Sequence, residues 1–139
     1  MPARMILFPL IVQVLLTVAV YLRLNFAKLA AVRSGEVDEA RRALHEDAWP
    51  DSVRKINNNI RNQFEVPVLF YALVLTLLAL NAAGTAAIVC AWLFVLSRIV
   101  HAYVHTGSNY VPLRRKAFMI GCVMIVALAA IALNALIMQ

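Results

Sequence analysis

The chain has 139 residues, of which 63% are hydrophobic and only 14% charged, and its mean hydropathy is +0.80. A soluble domain of this composition would display large apolar patches, so a bilayer suits these residues better than water. The formal net charge of +6 does not mark a nucleic-acid surface, because the cations flank apolar runs instead of covering a polar domain.

The first apolar run extends from Met5 to Leu22, with Pro9 near its start and Gln13 interrupting it. Arg4 ahead of it imitates a signal peptide. No small-residue cleavage site follows, however, and a helical pattern continues through Arg23, Asn25 and Lys28, so the run reads as a retained helix. Ser34 and Gly35 then break the pattern. Glu36, Asp38, Glu39, Arg41, Arg42, Glu46 and Asp47 mix both signs of charge, as a solvated loop with room for one short helix does. Pro50, Asp51 and Ser52 carry helix-start chemistry, with a side-chain oxygen to cap the amides of the next turn.

The second helix opens polar, from Arg54 to Glu65, and is almost wholly apolar from Val66 to Leu80. Pro67 either kinks it or only shapes its packing. Asn81 and Gly84 mark an uncharged turn. A third span begins at Ala86 to Leu96 and closes on Ser97, Arg98, His101 and His105. Thr106, Gly107, Ser108, Asn109 and Pro112 make the next loop. Arg114, Arg115 and Lys116 start a fourth helix that is apolar from Ala117 to Met138 apart from Asn134. The expectation is an all-α integral membrane protein, one domain over residues 1–139 with spans at approximately 5–30, 53–80, 85–105 and 114–137.

Twelve of the 13 lysines and arginines lie between Arg23 and Arg61 or between Arg98 and Lys116, which four spans place on one side. The bias of basic residues makes that side cytoplasmic and both termini external, in an inner (cell) membrane. Cys90 and Cys122 lie in apolar stretches, where thiols pack as small hydrophobes, and nothing in the sequence demands a disulfide.

Ionisable groups inside a membrane are costly unless paired or hydrated, so a group of them points to function. Asn58, Asn62 and Glu65 follow an i, i+4, i+7 spacing with Arg61 beside them, and Arg98, His101 and His105 follow i, i+3, i+7. Arg114, Arg115 and Lys116 join them at a helix start, whose free amides add positive charge. Together they predict a cavity that favours an anion. Two other readings use the same residues. Glu65 with Arg61 or Arg98 could be an ion pair that sets helix register and binds no ligand. His101, His105 and Glu65 have the composition of a two-histidine, one-carboxylate metal set, but the surrounding arginines repel a cation, so no metal is expected.

Arg61-Asn62-Gln63-Phe64-Glu65, followed by Val66-Pro67, resembles the second-helix signature of the MAPEG family, membrane proteins of eicosanoid and glutathione metabolism. Arg98-Ile99-Val100-His101, then His105 and Arg114, is similar to the third-to-fourth-helix spacing of its microsomal prostaglandin E synthase branch. The resemblance implies a MAPEG-like four-helix bundle that assembles as a homotrimer, with glutathione between subunits near the cytoplasmic face. It also implies a glutathione-dependent transferase, peroxidase or isomerase acting on lipophilic electrophiles that enter from the lipid. A non-catalytic membrane protein that kept the fold is the alternative.

In that picture Arg61 and Arg98 pair the carboxylates of glutathione, Asn62 bonds its peptide and Glu65 accepts from its ammonium. Arg114 is the catalytic residue: a guanidinium beside a thiol of pKa about 8.5 raises the thiolate fraction. His101, His105, Arg115 and Arg23 complete the binding set. The sequence departs from the branch at three positions, with His105 and Phe118 where the branch has tyrosines and Arg115 where it has a serine, so a hydroxyl is lost from the site.

Overall fold

The computed structural model describes residues 2–138. A 3-10 turn, Ala3–Ile6, leads into α1 (Leu7–Ser34), and α2 (Asp51–Gln63), α3 (Val66–Ala79), α4 (Thr85–Thr106) and α5 (Val111–Ile137) follow. Among the described residues, four segments are long and apolar enough to cross a membrane, with α2 and α3 together making the second. The helix α1 stops at Gly35, whose φ of 71° lies in the left-handed region. The amides of Gly35 and Glu36 turn back onto the carbonyls of Val32 and Ala31, a closure that favours a residue without Cβ.

The second span is broken rather than kinked. Pro67 has no N–H and its ring collides with the preceding turn of a continuous helix, but at the second position of a new helix both defects vanish. The chain therefore ends α2 at Gln63, passes through Phe64 and Glu65, whose ψ is −102°, and starts α3 at Val66. Two expected helix starts also differ. Pro50, not Asp51 or Ser52, occupies the cap of α2, no side chain caps it, and the Asp51 carboxylate accepts from Arg54 at 2.9 Å instead. Pro112 lies inside the first turn of α5, where its fixed φ suits the helix. The first loop does carry one short element, the 3-10 turn Glu46–Ala48.

The central helix is α4, which packs along α5 and also meets α1 and α2. The α4–α5 approach is close because Gly121 has no side chain: a Cβ there would stand 3.0 Å from Ser97 Oγ and 3.7 Å from the Phe94 ring. Two apolar cores form. One joins Phe70, Val74 and Leu77 of α3 to Ala87, Ala91, Phe94 and Val95 of α4 and Leu128 of α5, with Phe70 and Phe94 stacked at 4.4 Å. The other joins Val20, Leu24 and Ala31 of α1 to Val53, Ile56 and Ile60 of α2 and Ala102 of α4. The buried polar residues Gln13, Asn59, Gln63, Arg98, His101 and His105 fall at the junction of these cores. Outside, Leu15, Phe26, Val126 and Ile137 are exposed apolar side chains, which lipid or a neighbouring subunit can cover.

Candidate functional site

The break in the second span determines what Arg98 does. The last carbonyls of a helix have no intrahelical partner, and the negative end of the helix dipole attracts a cation. Arg98, 1% exposed, reaches from α4 to this end and donates from Nη2 to the carbonyl oxygen of Asn62 at 3.0 Å. Its Nε and Nη1 are buried and have no partner among the described residues. Its guanidinium carbon lies 5.9 Å from the centre of the Phe118 ring.

One turn further along α4, His101 and His105 sit edge to face with ring centres 5.4 Å apart. His101 Nδ1 lies 3.1 Å from the carbonyl oxygen of Arg114, so α5 is tied to α4 at the depth of the histidines. Asn109 in the preceding loop has a positive φ of 54°, a conformation asparagine tolerates, and its Oδ1 accepts from Arg114 Nη1 at 2.6 Å. These elements enclose a groove of about 290 Å³ lined by Asn62, His101, His105, Val111, Arg114, Arg115 and Phe118. Its wall holds two arginines and two histidines and no carboxylate among the described residues.

The structure thus gathers Asn62, His101, His105, Arg114 and Arg115 at one groove, with Arg98 buried beside it. The other expected residues stand apart from it. Arg61 is exposed and ion-paired with Glu46 of the first loop. Glu65 is exposed at the helix break and makes no ion pair within 4 Å among the described residues, so it does not bridge to Arg61 or Arg98 there. Arg23 is exposed on α1 and donates from Nη2 to the carbonyl oxygen of Thr106 at 3.1 Å, closing the end of α4. Lys55 donates to the adjacent Gly107 carbonyl at 2.6 Å. Tyr110 is exposed and lies outside the groove lining. Among the described residues no three or more His, Cys, Asp and Glu side chains form a group that could hold a metal.

Sequence reasoning missed the inward face of α2. Asn59 and Gln63, not Asn58 and Glu65, are the fully buried polar residues there, and they connect to Gln13 of α1 and His105 of α4. The signal available was Gln13, a lone amide within an otherwise apolar run and so in need of a partner.

Four membrane-crossing segments around a buried polar belt define an integral, multi-pass membrane protein. The MAPEG family model matches residues 6–134, and the chain belongs to the MAPEG family. No curated protein and no solved structure matches it.

Proposed function

We propose that this protein is a membrane-embedded glutathione-dependent transferase or peroxidase acting on lipophilic electrophiles. Membership of a family that includes glutathione-dependent transferases supports the reading. The observation that carries it is the groove at the meeting of α4 and α5, whose arginines and histidines suit an anion. The donor set fits glutathione's carboxylates: Arg114 and Arg115 present guanidinium groups, Asn62 an amide, and Arg98 keeps two buried donors without partners. Glutathione, when bound, supplies the nucleophilic thiol. The role of Arg114 is to hold positive charge at a fixed place, with Asn109 restraining its guanidinium.

Arg61 and Glu65 lie outside the groove of their own subunit. The family resemblance implies a homotrimer with each site shared between two subunits, in which a neighbouring copy brings its groove to them. Native mass measurement tests it: a stable monomer that still binds glutathione would remove the shared site.

A second reading is favoured by the contacts of the basic residues. Arg23, Arg61 and Arg98 all hold acceptors within the chain, as they would in a non-catalytic member that uses them for architecture. Calorimetry with glutathione and its S-alkyl analogues separates the two. Binding weakened by Arg115→Ala supports the enzyme, and no binding by the wild type supports the architectural protein.

A further inference from the structure

A chain of buried amides crosses the bundle and ends on a histidine of the groove. Gln13 of α1, 0% exposed, donates from Nε2 to Gln63 Oε1 at 2.9 Å. Gln63, 1% exposed, donates from Nε2 to Asn59 Oδ1 at 3.2 Å, and Asn59 Nδ2 lies 3.2 Å from His105 Nδ1. An amide nitrogen only donates, so His105 Nδ1 must be the lone-pair nitrogen and Nε2 must carry the proton. His105 Nε2 has no partner among the described residues and belongs to a ring that lines the groove.

The direction of the chain follows from its far end. As it stands, the atom left without a partner is an acceptor, Gln13 Oε1. Reversing all three amides would leave the Gln13 amino group unpaired instead, and buried donors tolerate that less well than carbonyl oxygens. Partial reversal is worse, because it sets two donors or two acceptors against each other. His101 has the opposite state. Its Nδ1 faces the Arg114 carbonyl, which only accepts, so Nδ1 carries the proton and the buried Nε2 is a lone pair.

We propose that Gln13, Gln63 and Asn59 form a directional relay that holds His105 as the neutral Nε2–H tautomer, so that the ring presents a hydrogen-bond donor to the groove. All three are positioning residues, and they act through His105. The donor is directed at an anionic group such as a carboxylate. That part alone rests on the proposed function; the tautomer rests on the relay. His101, four residues earlier on the same helix, is the opposite neutral tautomer, with its lone pair on the buried Nε2.

The test is nuclear magnetic resonance of the full chain in lipid nanodiscs with 15N-labelled histidine, without ligand, with signals assigned by single His→Gln variants. The expected wild-type spectrum at neutral pH has His105 protonated on Nε2 only and His101 on Nδ1 only. Gln13→Leu replaces an amide by an apolar side chain of similar size two links away, and should convert His105 to a tautomer mixture. Asn59→Asp approaches from the other end: a carboxylate only accepts, so His105 should become protonated on Nδ1. A wild-type His105 protonated on Nδ1, or His105 signals unchanged in both variants, overturns the relay. Calorimetry with glutathione on the same samples reads the site separately. Loss of one hydrogen bond to a charged group predicts binding on the order of tenfold weaker in Asn59→Asp. Altered tautomers in a protein that never binds glutathione would overturn the proposed function while leaving the relay intact.

Discussion

Arg98 Nη2 and the carbonyl oxygen of Asn62 are 3.0 Å apart, and this bond closes the end of α2 from another helix. In a bilayer a broken helix leaves backbone carbonyls that no water satisfies, so a break persists only where other groups reach them. Arg98 does so from α4, while Arg23 and Lys55 do so at Thr106 and Gly107 at the end of α4. A basic residue near a membrane-protein site is therefore not automatically a ligand residue.

Arg98→Met should destabilise the protein by about 2 kcal/mol, the usual scale for a hydrogen bond from a charged group to a buried acceptor. Arg98→Lys keeps a charge with shorter reach and should recover part of the loss. Thermal unfolding in detergent measures both. An unchanged midpoint for Arg98→Met would show that the helix break has other support.

Arg114→Ala should lower turnover on the order of a hundredfold, the scale for removing a donor aimed at developing negative charge, and weaken glutathione binding less. Asn109→Gly keeps the left-handed turn and removes only the bond that restrains Arg114, so it should reduce turnover modestly with little loss of stability. Steady-state kinetics on both variants would expose the error if binding fell and turnover did not.

Gly121→Leu should cost about 1–3 kcal/mol, the range for overpacking a filled interior, by pushing α5 away from Phe94 and Ser97. Gly121→Ala should cost less, because a single methyl asks Ser97 Oγ to give by only a few tenths of an ångström against its 2.6 Å bond to the Phe94 carbonyl. If chemical unfolding gives equal values for the two, the close approach of these helices does not limit the packing.

The first loop carries a pH dependence of known sign. The Arg41 hydrogen bond at 2.7 Å holds the Asp47 carboxyl below its ordinary value of 3.8. A depressed carboxylate contributes stability above its unfolded value and loses it as pH falls through the folded one. Arg41 is shifted upward by the same bond, so its contribution is lost only at strongly alkaline pH. The protection of the loop amides, taken relative to the intrinsic exchange rate at each pH, should be flat from about pH 8 to 5 and fall below about 4, and Asp47→Asn should remove that acid step.

Membrane orientation has its own test. With the basic loops in the cytoplasm, a cysteine placed by Glu39→Cys should react with an impermeant thiol reagent only in inverted vesicles, and Arg4→Cys only in intact cells. Labelling of Glu39→Cys in intact cells and of Arg4→Cys only in inverted vesicles would overturn the orientation.

Four spanning segments and their basic ends follow from local composition, because leaving water is a property of a residue and its near neighbours, whereas at Pro67 the sequence offered a kink or a packing role and the structure made a full break. The family signature is local in the same way, and the family match spans nearly the whole chain. The inward face of α2 is another matter. Between Arg54 and Glu65 polar residues stand at almost every position, so a helical period exists on several faces at once. Only packing against α1 and α4 turned Asn59 and Gln63 inward and left Arg61 to the Glu46 carboxylate of the loop. The acceptor of Arg98 was equally hidden from the sequence, since a backbone carbonyl becomes available only where a helix ends, and which side chain reaches it depends on the helix packed alongside.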